Sequence, residues 1–216
     1  YPETTFAKIL INPKNYSLDG IQTPETQYIK LYEKFQAQKF EEVIEEADAL
    51  IVINSGSEFE AKLKLLKANS IGRLDGVVAW KTALQEVIEN YSKAPEGKYA
   101  QVLLTQINES NDLAEQGKKF KNYKWVFPFS KKDTIQTDLF YTSFSKEVNG
   151  YMRRWNVSYD SYDKDYNFIV VHGIRNRNNI NTWIKSKGKD AEDFKQTNYF
   201  VVLAHNYRKL IKNKTW

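Results

Sequence analysis

Between residues 23 and 91 the apolar positions recur with helical spacing. Tyr28, Leu31, Tyr32 and Phe35 fall at i, i+3, i+4 and i+7, a single stripe of one helix. Thr23, Pro24 and Glu25 open it with a capping hydroxyl, a proline at the first helical position and an acid in the first turn. A second stripe follows in Phe40, Val43, Ile44, Ala47, Leu50 and Ile51, with Glu41, Glu42, Glu45, Glu46 and Asp48 on the solvated side. Only Ala37, Gln38 and Lys39 separate the two, so the helices must run antiparallel. The pattern then repeats. A helix opening at Ser57 carries Leu63, Leu66 and Ser70 inward and is expected to break at Gly72 and Asp75-Gly76. The returning helix, residues 77–91, places Ala79, Trp80, Ala83, Leu84, Val87 and Ile88 on one face. A further helix through about Gly117 is predicted to turn Val102, Leu103, Ile107 and Leu113 inward.

Beyond Gly117 the period changes. Residues 123–129 form a β-rich run with Pro128 near its end, because proline cannot donate to a central ladder. Residues 138–154 are helical in period through Leu139, Phe140, Phe144, Val148, Tyr151 and Met152. Residues 157–162 alternate as a strand, and residues 167–172 read as a strand of the fully buried type. A helix over residues 174–187 carries Ile180, Trp183 and Ile184, a last strand spans 198–204, and a short helix covers 205–212. The order β-α-β-β-α-β predicts a ferredoxin-like domain, with helices on one face of a four-stranded antiparallel sheet and a C-terminal helical extension. The expected fold class is therefore α followed by α/β: helical repeats over residues 1–117 and a small basic domain over residues 118–216.

The equivalent positions Val43 and Ala79 lie 36 residues apart, close to the 34-residue period of tetratricopeptide repeats. The run from Lys39 to Leu50 reads like the second helix of that motif, although Leu31 stands where its consensus has glycine. One hairpin cannot bury its own apolar face, so stacked copies share cores and leave a surface that holds other chains.

The charge is split along the chain. Residues 1–117 hold 12 Lys/Arg against 18 Asp/Glu, whereas residues 118–216 hold 20 against 9. A reversal at one point marks a domain boundary and gives the second half an attraction for acidic partners. Its basic residues cluster at Arg153-Arg154, Arg175, Arg177, Lys185, Lys187, Lys189 and from Arg208 to Lys214. Arg175, Arg177, Trp183, Lys185 and Lys187 are the expected partner-binding residues.

Candidate chemistry is sparse. Cysteine is absent, which excludes disulfides, thiolate catalysis and cysteine zinc sites. Of the two histidines, His172 ends an apolar strand and His205 sits at a strand-to-helix junction; neither has an acid placed in sequence to orient it. Asp163, Asp165 and Asn167 resemble the opening of a calcium loop, but Phe168 stands where the sharp turn needs glycine and Ile174 where a bidentate glutamate is required. A polar β-turn is the expected reading. No phosphate-cradling glycine motif occurs. Neither catalytic residues, nor a cofactor, nor a metal is expected. No apolar run reaches the ~20 residues that cross a bilayer, and the opening stretch lacks the pattern of a signal peptide. A nucleic-acid reading rests on the basic tail alone, since the third strand lacks the glycine-aromatic pattern of RNA-recognition domains.

The opening Tyr1-Pro2-Glu3-Thr4-Thr5-Phe6-Ala7-Lys8-Ile9 reads as the close of an earlier repeat. Together with the repeat over residues 40–54 and the runs at 125–128, 168–171 and 199–207, it resembles the C-terminal part of the SprE/PorW family. These are large lipoproteins of the type IX secretion and gliding-motility machinery. The resemblance implies a periplasmic, outer-membrane-associated protein, with any lipid anchor outside these residues and a PorN/GldN-like ring component as direct partner. It implies a scaffold and no small-molecule substrate. The alternatives are a general tetratricopeptide adaptor or, less well supported, an RNA- or DNA-binding protein.

Overall fold

The structure, a computed structural model, describes residues 23–115, 122–149, 151–188, 194 and 197–216. The opening segment over residues 1–9, the basic link at 118–121, Lys189 and the side chain of Leu113 lie outside the described residues. What is described is mostly helical, with one small antiparallel sheet of four strands.

Five helices come first: α1 (Pro24–Gln36), α2 (Phe40–Ile53), α3 (Glu58–Asp75), α4 (Val77–Tyr91) and α5 (Pro95–Glu115). Thr23 caps α1 as its sequence predicts. Its hydroxyl accepts from the Thr26 N–H at 3.2 Å, and the Thr26 hydroxyl accepts from the Thr23 N–H at 3.0 Å. Links of a few residues force each helix back along its predecessor. Leu31, Val43, Ala47, Ile51, Leu63 and Leu66 form one core across α1, α2 and α3. Ala68, Leu84, Val87, Ala100 and Ile107 form the next across α3, α4 and α5. Each core is thus built by three helices, with α3 contributing to both.

Three sequence expectations are corrected in this region. Gly72 does not break α3, which continues to Asp75. Its lack of a side chain instead lets α4 approach, for an added Cβ would lie 2.5 Å from Cγ of Trp80. The chain turns at Gly76, whose φ of +87° suits glycine and whose backbone also abuts the Lys212 carbonyl. On α5 the inward row is Ala100, Leu103 and Ile107, while Val102 is 49% exposed. Tyr32 likewise faces outward, its ring stacked between those of Tyr28 and Phe35.

The remaining elements are β1 (Tyr123–Ser130), a 3-10 turn (Lys131–Asp133), α6 (Thr134–Asn149), β2 (Asn156–Ser161), β3 (Tyr166–Ile174), α7 (Asn178–Lys187), β4 (Phe200–Leu203) and α8 (Ala204–Asn213). The strands lie in the order β2-β3-β1-β4, each pair antiparallel. Ile174 ends β3 rather than opening α7. Pro128 pairs with Phe168 beyond the reach of β4, on a stretch of β1 with one open side, where a missing N–H costs no ladder bond.

On one face Trp125, Phe127, Ile169 and Val171 pack beneath Phe144 of α6 and Trp183 of α7. The Trp125 ring meets those of Phe144 and Trp183 edge-on at 5.4 and 5.5 Å. Leu139, expected inward on α6, is 67% exposed, the buried row being Thr137, Phe144 and Val148. The expectation of helices on one face only is also corrected. Val126, Phe168 and Val170 on the second face are fully buried beneath Tyr207, Leu210 and Ile211 of α8. Trp216 completes this face against Tyr162 and Phe168, its N–H donating to the Tyr162 hydroxyl at 3.0 Å.

Among the described residues, the contacts between the two parts include these three. Gly76 touches the end of α8, and Lys131 pairs with Glu41 at 3.4 Å. The third is Gln38, held at φ +60° between α1 and α2. Its side-chain Nε2 donates to the Tyr159 carbonyl at 3.0 Å and its Oε1 accepts from the Ser161 N–H at 2.8 Å. One side-chain amide therefore satisfies both kinds of backbone group on the edge strand β2.

These contacts lead to two expected outcomes. Gly72→Ala gains about 1 kcal/mol of helix propensity but forces an overlap costing about 1–3 kcal/mol. The urea midpoint should fall; a rise would mean that Trp80 yields without strain. Gln38→Ala removes the acceptor of the Ser161 amide, whose hydrogen exchange should quicken. An unchanged rate would show that this contact does not hold in solution.

Candidate functional site

A cavity of about 630 Å³ lies where α8 faces the helical stack. Its helical wall is set by Phe35 of α1, Asn69 of α3, Trp80 of α4, and Tyr99, Leu103 and Ile107 of α5. The helices α1, α3 and α5 are the first members of successive pairs, so they present one continuous inner row. Trp80 is fixed there because its indole N–H donates to the side-chain Oδ1 of Asn69 at 3.0 Å. Tyr99 is 54% exposed, an aromatic ring open to an incoming group. Tyr207 and Ile211 of α8 form the opposite wall, and Ser161 of β2 closes one end.

Four cations line the same cavity: Arg73 from α3, and Arg208, Lys212 and Lys214 from α8 and its end. Its described lining contains no carboxylate. Burial pulls the Lys214 ammonium down to about 8; Asp163 and Asp75 oppose that fall, while Arg73 and Lys131 add to it. The Lys214 ammonium donates to the Tyr162 carbonyl and sits 4.7 Å above the Tyr162 ring. Lys212 is also held below its ordinary range, first by burial and then by the neighbouring charge of Lys81.

A second group of polar side chains sits on the face of the sheet that α8 covers. Lys124 Nζ lies 2.5 Å from Nδ1 of His172, and Nε2 of the same ring lies 2.6 Å from the Ser158 hydroxyl. Ser158 in turn donates to Asp160 Oδ2 at 3.0 Å. Burial, with the charge of Arg208, holds Lys124 below its ordinary range; while it stays an ammonium it can only donate, so Nδ1 accepts and the ring proton sits on Nε2. Every bond in the chain then points from lysine to aspartate. In that tautomer His172 gives a proton toward Ser158 and takes none from it, the reverse of what a serine nucleophile requires. Burial, reinforced by Lys124, pushes His172 down to about 4. Burial raises the Asp160 carboxyl, partly offset by its bond from Ser158, and raises the facing Tyr207 phenol, with the Asp160 charge adding to the effect.

The five expected partner-binding residues do not gather into one patch. Trp183 is fully buried against Trp125, Phe144 and Phe194. A buried ring of this size is worth about 3–5 kcal/mol to the fold, and Trp183 belongs to the core cluster. Lys187 pairs with Glu147 and leans over the Trp183 ring, whereas Lys185 is exposed on α7. Arg175 and Arg177 are exposed just after β3. Arg175 shares a smaller cleft of about 310 Å³ with Arg153 and Arg154. The basic tail therefore presents two separate cationic surfaces, one at this cleft and one at the α8 cavity.

The acidic turn behaves as expected. The Asp163 carboxylate accepts from the backbone N–H groups of Asp165 and Tyr166 at 2.9 and 2.8 Å, which closes the β2–β3 turn. Sequence reasoning passed over Arg73, Trp80, Tyr99 and Gln38 as site residues. Arg73, Trp80 and Tyr99 come from three different helices and share one cavity with residues of α8, whereas Gln38 bears on β2. Comparison with known proteins adds no relative: no family model matches the chain, and no curated protein matches it.

The half-buried His172 sets a pH dependence. Below about pH 6.5 the unfolded chain binds a proton that the folded ring refuses until about pH 4. This part of the stability is complete above the window and is lost as pH falls through it. Asp160, with its raised carboxyl, acts in the opposite sense. Urea midpoints should therefore drop between pH 7 and 4.5 by less in His172→Gln than in the unaltered chain. Parallel profiles would mean that the ring protonates freely in the folded state.

Proposed function

We propose that this chain is a non-catalytic scaffold that holds other proteins, working within the type IX secretion and gliding-motility machinery. The observation that carries the reading is the helical stack. Its cores are shared between neighbours, and the inner row of α1, α3 and α5 borders a cavity that separates it from α8. The hairpins read as tetratricopeptide-type repeats on the 36-residue spacing of Val43 and Ala79 in the sequence. The connection β1-α6-β2-β3-α7-β4, with strand order β2-β3-β1-β4, reads as a ferredoxin-like domain extended by α8. The polarity of the Lys124–His172–Ser158–Asp160 chain favours a structural role for those groups over catalysis.

The setting rests on the resemblance to the SprE/PorW family. On that reading the chain acts in the periplasm, associated with the outer membrane, and touches a PorN/GldN-like ring component. A general adaptor outside secretion would share the same hairpins. The nucleic-acid alternative loses its usual platform here. The sheet face on which single-stranded bases would stack is buried beneath α8, with Phe168 and Val170 inaccessible.

The tagged chain, incubated with envelope extract, should retain components of the secretion machinery. Retrieval of none of them would remove the proposal. Arg175→Glu combined with Arg177→Glu should weaken retention about tenfold if the arginine surface contributes a close charge pair, with the circular dichroism unchanged. Full retention in this double variant would shift the contact to the helical part.

A further inference from the structure

We infer that the cleft walled by Arg153, Arg154 and Arg175 is a docking site for an acidic segment of a partner protein, whose carboxylates its guanidinium groups receive. This deepens the scaffold reading, on which it rests, by naming the partner's chemistry at one of the two cationic surfaces. The site is built by the backbone. From Trp125 to Tyr123, β1 advances two residues while β3 advances three, from Val171 to Ile174, so β3 carries a bulge near its end. Gly173 sits in that bulge at φ +79°, a conformation that suits glycine. Its missing side chain lets the Arg154 carbonyl come close, for an added Cβ would overlap that oxygen. Arg153 and Arg154 are the central residues of a turn in which the Trp155 N–H donates to the Met152 carbonyl at 2.9 Å. The buried Trp155 ring anchors the turn in the aromatic core. The turn before β2 and the residue after β3 thereby meet at one cleft of about 310 Å³, with Asn179 of α7 on its wall.

The charge of the cleft defines the occupant. Its described lining contains no carboxylate, and the ion pairs among the described residues engage lysines, not these arginines. Arg153, Arg154 and Arg175 are all exposed, so their guanidinium groups can reach an incoming chain. Like charges held side by side repel, and incoming carboxylates relieve that repulsion. A guanidinium also offers a carboxylate two parallel donors, which an ammonium does not.

Two further observations favour an acidic peptide over other anions. A lone phosphate is commonly cradled by free backbone N–H groups at a helix start. At the start of α7 those of Asn178 and Asn179 are already taken by the side chain and the carbonyl of Asn176, each at 3.0 Å. The donors that remain are side chains on separate segments, suited to separate carboxylates along a chain. Met152 and Trp155 add an apolar part to the cleft, against which the methylenes of a glutamate or an apolar neighbour can rest. A second copy of this chain is a weaker source of carboxylates, because Glu41, Glu42, Glu46 and Asp48 of α2 are already bridged by lysines.

The probes are fluorescein-labelled nonapeptides in which leucine alternates with glutamate, with glutamine or with lysine. Each is titrated into the 216-residue chain and followed by anisotropy. The glutamate peptide should bind at least about tenfold more tightly than the glutamine peptide, with an affinity that falls as salt rises. The lysine peptide should not bind. Arg175→Gln should weaken the glutamate peptide about threefold to fivefold, the scale of one exposed pair. Adding Arg153→Gln and Arg154→Gln should bring the loss to about tenfold or more, with the circular dichroism unchanged. Arg177→Gln, outside the lining of the cleft, should leave the affinity unaltered.

Equal binding of the glutamate and glutamine peptides, no binding of any, or indifference to the three cleft substitutions would each overturn the inference. So would tighter binding of a thymidine decanucleotide, or displacement of the peptide by inorganic phosphate at matched ionic strength, either of which would make the occupant a phosphate. Dimerisation in sedimentation that is lost in the triple variant would also overturn it, the occupant then being a second copy. If no peptide binds while envelope retention persists, the cleft is refuted and the scaffold reading stands. If the peptide binds as expected and the extract yields no secretion component, the cleft stands and the proposed setting falls.

Discussion

A sheet that is apolar on both faces cannot leave either of them in water. In β3 the run Phe168, Ile169, Val170 and Val171 is buried without interruption, so alternate residues demand cover on opposite sides. The helices α6 and α7 cover one side. The other side is taken by the end of the chain, where α8 and Trp216 fold back over it. The return of α8 has three effects at once. It partly shields the lysine-to-aspartate chain from water, adds to the burial that lowers the basicity of His172, and carries Arg208, Lys212 and Lys214 up to the helical stack.

The helical part meets the same demand by a different route. Its apolar stripes are one-sided, so each is satisfied by the next helix in sequence, and α3 belongs to two cores because a helix lies on either side of it. Such a chain of neighbours always leaves one row facing away from the stack. The acidic side chains of α2 meanwhile serve local purposes: Lys34 bridges to Glu42 and Glu46, and Lys67 to Asp48. Exposed pairs of this kind contribute little stability. The opposite net charges of the two halves are therefore not what joins them; a glycine contact and a side-chain amide do more.

The sequence was most informative where local rules decide the outcome. The cap at Thr23, the antiparallel helices and the order of strands and helices all arise from short-range patterns. The buried character of β3 was also readable, and taken at full weight it required cover on both faces. What was not readable came from distance. Gly72 looks like a helix breaker until Trp80 is placed against it, and Val102 and Leu139 look inward until the true neighbours of α5 and α6 set the rotation of each helix. Trp183 sits among lysines in sequence, yet its ring lies at the centre of the aromatic core. The candidate cavity draws on elements far apart in the chain, so no local window could have revealed it.

The left-handed Gln38 has a consequence beyond joining two parts of one molecule. A border strand such as β2 offers hydrogen-bonding groups that any other extended chain can adopt, which is how sheets grow into aggregates. Because the Gln38 amide imitates one peptide unit and occupies the carbonyl of Tyr159 and the N–H of Ser161, that border is already engaged. The molecule thereby gains protection against being extended, strand by strand, by other chains.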